Sequence, residues 1–279
     1  MIDQQLADTI VSPEAYQAGE PIDAAFRQGR RDTPFAQAQP REFDKFWVVS
    51  RHADVMEVER RASDFLNGPR SSVVSNMQNE AAVRFLTGGE GNLIRSLVAV
   101  DGAEHKALRG VVFPAMTPAA VRQLEARVRT IAKQYVDDML ARAPECDFAE
   151  EIAFWYPLRV IMGVLGLPEE DEPYLMRLTQ ELFSAGEWLM LPYHSANRDE
   201  DVFDDPFEFR IDRQPNRHVA FGYGPHVCLG QHLARLEMRL FWEELFPRMK
   251  RVELTAPPQR TLSSFVCGPK HVPIRFEVA

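Results

Sequence analysis

The ten residues Phe221-Gly222-Tyr223-Gly224-Pro225-His226-Val227-Cys228-Leu229-Gly230 constrain the fold more than any other part of the chain. Three glycines and a proline in so short a run require tight turns and close backbone approach, and they interrupt any regular helix or strand. Immediately afterwards, residues 231–246 carry Leu233, Leu236, Leu240 and Phe241 at intervals of three or four, which predicts a helix with one inward face. A thiol placed just before a helix feels the positive N-terminal end of that helix, which favours thiolate over thiol. The N–H groups of the turn can then hydrogen-bond the sulfur and tune a metal bound to it.

Cys146, Cys228 and Cys267 are odd in number, far apart and without paired spacing, so neither a disulfide framework nor a four-cysteine zinc site is expected. A reducing, cytoplasmic setting is. The 279 residues are 45% hydrophobic, enough to bury a substantial core in one globular domain, and no internal repeat or low-complexity tract is present. A net charge of -9 argues against nucleic acid as the main partner, since that task needs a positive field. Met1 to Ser12 lacks a basic start with an apolar core, and no stretch reaches the 18 or so apolar residues of a membrane span.

Residues 1–42 are rich in Pro, Gln, Arg and Asp and are expected to form an irregular arm with one helix near Pro13 to Gly19. Phe46 to Val49 suits a strand, His52 to Arg61 a helix, and a loop-rich stretch is expected from Asn67-Gly68-Pro69 to about Gly102. Glu104 to Val112 follows as a helix. Pro118 to Ala141, with Val121, Leu124, Val128, Ile131, Tyr135 and Met139 in period, predicts one long helix. Asp147 to Leu167 holds a further apolar run, and Glu169 to Ala185 is expected to be helical. Trp188-Leu189-Met190-Leu191 reads as a strand, His194 to Arg217 as largely irregular, and Val252 to Val278 as short strands and turns around its prolines. The expected class is mainly α with a minor β region.

On residue chemistry alone Cys228 has three readings: a small buried hydrophobe in a glycine-rich turn, a zinc ligand with His226 and His232 that still wants a fourth partner, or the axial ligand of a haem. The pattern Phe-x-x-Gly-x-x-x-Cys-x-Gly, complete in Phe221, Gly224, Cys228 and Gly230, resembles the haem-binding loop of the cytochrome P-450 family. A second stretch, Asp101-Gly102-Ala103-Glu104-His105-Lys106-Ala107-Leu108-Arg109, is similar to the family's helix with a His-x-x-x-Arg pair. His105 and Arg109, four apart, share a helix face and could reach one anion. Trp188 to Phe209 is similar to the segment that precedes the haem loop in bacterial members, and Phe265 to Phe276 to the family's C-terminal turn and strand.

The resemblance implies a cytochrome P-450 fold holding haem b (iron protoporphyrin IX), with Cys228 as metal ligand and catalytic thiolate, a ligand type that favours O–O cleavage. It implies propionate contacts from His105, Arg109 and His226, and haem contacts at Phe221, Gly222, Gly230 and Ala234. The implied partners are dioxygen, a small apolar substrate and a ferredoxin-type electron donor meeting Lys106, Arg109, Arg235 and Arg239; for Lys106 and Arg239 an ordinary solvated helix face explains the charge equally well. Tyr156-Pro157-Leu158-Arg159 through Leu178-Thr179-Gln180 is similar to members that hydroxylate monoterpene alcohols. Ile94, Leu97, Val98 and Phe265 would lie near the pocket, although core packing accounts for them as well.

The sequence also departs from the family. Its long central helix with an acid–alcohol pair, and the following Glu-x-x-Arg helix that braces the haem loop, are not found between Glu169 and Cys228. The Glu-x-x-Arg at Glu57 to Arg60 lies in the wrong part of the chain to serve. These departures predict an internal truncation near Ser184-Ala185-Gly186. Two functions follow, a monooxygenase or a haem-binding remnant with impaired catalysis; a third outcome is a fragment that does not fold alone.

Overall fold

The structure is a computed structural model that describes residues 1–68, 74, 76–92, 96–173, 189–264 and 267–279. In chain order the elements are α1 (Gln4–Val11), α2 (Pro13–Ala18), α3 (Glu20–Asp32), β1 (Phe35–Ala38), β2 (Phe46–Val49), α4 (His52–Arg60), α5 (Met77–Thr87), α6 (Gly102–Val112), α7 (Pro118–Gln123), α8 (Glu125–Leu140), β3 (Glu145–Asp147) and α9 (Trp155–Leu165). Then come β4 (Leu189–Met190), the single turn α10 (Tyr193–Ala196), α11 (Gln231–Leu245), β5 (Met249–Leu254), β6 (Gln259–Arg260), β7 (Pro269–His271) and β8 (Pro273–Val278). The chain divides into two compact units, one drawn from Met1–Gly110, Phe183–Cys228 and Leu262–Phe265, the other from Val111–Leu182, Leu229–Thr261 and Val266–Ala279.

In the first unit the expected irregular arm is instead three helices. The Asp3 carboxylate caps α1 by accepting the Leu6 N–H at 2.9 Å, and the Ser12 hydroxyl caps α2. Pro13 and Pro21 stand in the first turns of α2 and α3, where the missing N–H costs nothing, so they start helices rather than break them. Leu6, Ile10, Val11, Ile22 and Phe26 are buried, each worth roughly 1.5–3 kcal/mol relative to exposure. Strands β1 and β2 pair antiparallel from Phe35↔Val49 to Ala38↔Phe46, and β4 joins β2 in parallel at Trp47↔Leu189 and Val48↔Met190. Val49, Val55, Val58, Ala196 and Val219 form a small core that ties β2, α4 and α10 to the chain entering the cysteine loop.

Two further expectations are corrected. The loop-rich stretch before Gly102 contains α5, capped by the Asn76 side chain and ended by Gly88 in the left-handed conformation. Only Glu80 and Val83 of this helix are buried, too few to leave an apolar period in the sequence. In the second unit the single helix expected over Pro118 to Ala141 is interrupted at Leu124, whose N–H bonds Val121 O at 3.0 Å, giving α7 and α8.

The second unit's core is formed by Val128, Ala132, Val136 and Met139 of α8 with Leu233, Leu236, Leu240 and Phe241 of α11, the inward residues that the period predicts. A three-stranded antiparallel sheet, in the order β3-β8-β5, adds Ile274 and Phe276 to it. The apolar run from Asp147 resolves into the end of β3, a π-helical turn over Ala149–Ala153, and α9. The helix expected over Glu169 to Ala185 falls outside the described residues apart from a short 3-10 turn at Glu169–Asp171. Ile94, Trp188, Phe265 and the junction at 184–186 lie outside them too. Mainly helical architecture with small sheets is therefore the observed class.

Candidate functional site

Cys228 is exposed, at the end of a loop closed by its own backbone. The Cys228 N–H donates to Phe221 O at 2.7 Å, the Gly222 N–H to Val219 O at 2.9 Å, and the Val227 N–H to Gly224 O at 3.2 Å. Gly224, at φ 65°, is required: a Cβ built there would lie 2.3 Å from Glu59 O and 2.8 Å from Glu59 C. Gly230 differs. Its φ is -86°, and among the described residues nothing lies within 4 Å of a Cβ placed on it. Helix α11 begins at Gln231, three residues beyond Cys228, and Ala234 sits in its first turn, its N–H bonded to Gly230 O at 2.9 Å.

The first unit brings the basic residues expected to bind propionates to this loop. The ring of His226 stacks on that of His105 with centroids 4.0 Å apart and planes at 26°. Arg109, one turn further along α6, donates from Nη2 to Val227 O at 2.7 Å. Asp101 accepts the Asn67 and Gly68 N–H groups at 3.0 and 2.6 Å, and its Oδ1 stands 3.5 Å from His226 Nε2. His105 is 4% exposed, and its Nε2 is buried without a hydrogen-bond partner among the described residues. Burial lowers the pKa of His105, and the charges of His226 and Arg109 add to that. A buried imidazole nitrogen with no partner, beside a guanidinium, is the donor set that an anionic group would satisfy. These residues therefore fit a haem carrying propionates.

Of the remaining expected partners, Phe221 and Gly222 form the first turn of the loop, and Lys106 is exposed on α6. Arg239 pairs with Glu243 at 2.8 Å and Glu125 at 3.2 Å, and Arg235 donates to Gln231 Oε1 at 2.9 Å. Burial pushes the Cys146 thiol up to about 11. Among the described residues the group of three possible metal ligands that converge is Asp147, Glu150 and His271, not one that includes Cys228. Its Asp147 Oδ1 is already occupied by the N–H groups of Ala149, Glu150 and Val272.

Sequence reasoning missed one participant. Glu59, on the face of α4 that carries Val55, accepts from the Tyr193 hydroxyl, and its carbonyl packs against Gly224. Next to it, Arg60, joined to Glu57 at 2.5 Å, holds its guanidinium 5.6 Å from the Tyr223 ring centroid. The available signal was a carboxylate four residues after Val55, on the inward stripe of an amphipathic helix.

Comparison with known proteins identifies the family. The Cytochrome P450 family pattern matches residues 176–275. "Cytochrome P450-terp" from Pseudomonas sp is 30% identical over 422 aligned positions that take in 100% of this chain and 99% of that protein. The "Methyl-branched lipid omega-hydroxylase" of Mycobacterium tuberculosis is 24% identical, with 91% of each chain covered. The crystal structure of CYP108D1 from Novosphingobium aromaticivorans superposes with a TM-score of 0.93 at 26% identity over 100% of both chains. A relative 30% identical and matched over nearly its whole length places this chain in the cytochrome P450 family of haem-iron monooxygenases.

Proposed function

We propose that this chain holds haem b through the thiolate of Cys228, with His105, Arg109 and His226 taking the propionates and with Phe221, Gly222, Gly230 and Ala234 against the ring. The observation that carries the reading is the buried, partnerless Nε2 of His105 beside an exposed cysteine on a closed loop. The glycine at 230 supports it, because neither its φ nor, among the described residues, a neighbouring atom calls for one, whereas a flat group lying across the loop would. When bound, haem supplies activation of dioxygen for insertion of one oxygen atom into a C–H bond. The protein's part is to hold the sulfur, to neutralise the propionates and to keep Cys228 open to its ligand.

The substrate we assign is a small apolar molecule of terpenoid type, with electrons from a ferredoxin-type donor in the cytoplasm. The match to a protein named P450-terp and the similarity of the Tyr156 to Arg159 segment support the substrate class. A second reading is favoured by a specific observation: the P450-terp alignment runs over 422 positions against the 279 residues of this chain. With no Glu-x-x-Arg helix after Glu169, the chain is then an internally truncated haem binder with turnover that is low or lost.

The test is the absorbance difference spectrum of the reduced, carbon monoxide-bound protein expressed with haem supplied, beside Cys228→Ser. A strongly red-shifted Soret band that needs Cys228 is expected. Soluble protein without any haem signal would overturn both readings. Product formed from a terpenoid with ferredoxin and reductase separates the enzyme from the remnant.

A further inference from the structure

We propose that Glu59 and Tyr193 are the positioning pair of the cysteine loop, and that the C-terminal turn of α4 supplies the brace that the sequence lacks after Glu169. The proposal concerns how Cys228 is held and rests on the haem-thiolate reading only for its spectroscopic consequence.

Four contacts converge on two consecutive residues of α4. The Glu59 carboxylate accepts the hydroxyl proton of Tyr193. The Glu59 carbonyl sits so close to Gly224 that a Cβ there would lie 2.3 Å from its oxygen. Above Gly222, a Cβ would meet Tyr193 Oη at 3.4 Å and the two Glu59 carboxylate oxygens at 3.8 and 3.9 Å. Arg60, tethered to Glu57, lies over the Tyr223 ring. The first turn of the loop is thus held from one side by backbone packing and polar contacts to α4, and through Phe221 O its register is passed to the N–H of Cys228.

The placement is also costly, which argues for a role. Burial raises the pKa of Glu59, and the Tyr193 hydroxyl, the Tyr223 N–H and the His226 charge act in the opposite direction. A half-buried carboxylate on the valine face of a helix is retained only where its hydrogen bonds offset the desolvation. Here they do so by fixing a turn whose own residues, two of them glycines at positive φ, contribute little stiffness.

Backbone amide exchange across residues 219–228, read by mass spectrometry on the full chain, tests the pair. Glu59→Leu is expected to speed exchange there by about tenfold, the loss of a buried hydrogen-bond anchor, with α8 unchanged. Glu59→Gln keeps an acceptor and is expected to stay close to the parent. Tyr193→Phe, which removes one oxygen and keeps the fold, is expected to fall between them. In the haem-loaded protein the red-shifted fraction of the carbon monoxide spectrum should fall in Glu59→Leu and recover in Glu59→Gln. Loop exchange unchanged in both Glu59→Leu and Tyr193→Phe, or raised equally in α8, would overturn the proposal. Glu59-dependent loop exchange in a parent protein that never shows the red-shifted band would uphold the brace and reject thiolate ligation.

Discussion

The imidazoles of His105 and His226 stack at 4.0 Å, one from the buried face of α6 and the other from the loop that ends in Cys228. Two like rings in contact, with Arg109 in the same neighbourhood, form a site that resists a further positive charge and welcomes a negative one. The pairing ties the two segments of strongest family resemblance into one piece of structure. It also gives His105 a pH signature. Its folded pKa lies below the ordinary 6.5, so the stability it contributes is complete above that value and is lost as pH falls from 6.5 through the lowered pKa. Denaturation of the haem-free protein between pH 7 and 5 should show this fall, and His105→Phe should flatten it. In the haem-loaded protein the same variant should speed haem transfer to an acceptor globin by roughly tenfold or more, the loss of one charge-assisted hydrogen bond. An unchanged transfer rate would remove His105 from the propionate set.

Arg109 contributes to the loop before any cofactor binds, through its 2.7 Å bond to Val227 O. Arg109→Ala should destabilise the haem-free protein by about 1–2 kcal/mol in urea denaturation. Arg109→Lys should recover less than half, because an ammonium cannot reproduce the planar fork. Full recovery by lysine would mean that charge alone matters at this position.

How much of this was legible in the chain depends on what each residue answers to. The loop and α11 were legible because glycine spacing and a 3.6-residue period are local properties, and Leu233, Leu236, Leu240 and Phe241 are buried as their spacing predicts. The N-terminal helices were not, since Pro13 and Pro21 carry opposite meanings inside a helix and at its first turn; Ser12 caps the helix that Pro13 opens, but Gly19 ahead of Pro21 offers no side-chain cap to mark a start. Helix α5 was hidden because it buries almost nothing. Glu59 was invisible for a different reason. Its partner Tyr193 and the loop glycines Gly222 and Gly224 lie more than a hundred residues away, and a lone carboxylate on an apolar stripe reads as noise until the tertiary fold supplies them.

Two glycines of the loop should separate folding from cofactor binding. Gly224→Ala forces a Cβ into the Glu59 carbonyl at a positive φ, so it should cost about 2 kcal/mol or more and lower the haem-free protein's unfolding midpoint. Gly230→Ala meets nothing within 4 Å among the described residues and has an ordinary φ, so the haem-free protein should stay within about 1 kcal/mol of the parent. Haem retention should nonetheless suffer at Gly230→Ala. Normal haem content in that variant would show that the ring does not lie against residue 230.

Glu237 supplies the clearest pH dependence in the second unit. Its side chain is 6% exposed on α11, and burial pushes its pKa up to about 8 from an ordinary 4.5. With a raised folded pKa, the contribution to stability is complete below 4.5 and is lost progressively as pH rises to 8, because the unfolded chain ionises first. At about 1.4 kcal/mol per unit of pKa, the loss is of the order of a few kcal/mol. Thermal denaturation of the parent should therefore weaken from pH 5 to 8, while Glu237→Gln, neutral throughout, should show a flatter profile and a higher midpoint at pH 8. The neighbouring Tyr156 hydroxyl, bonded to Glu237 O at 3.0 Å, is present in both proteins and cancels in the difference. Equal slopes for the two would show that Glu237 ionises normally and that α11 carries its buried carboxylate to the surface.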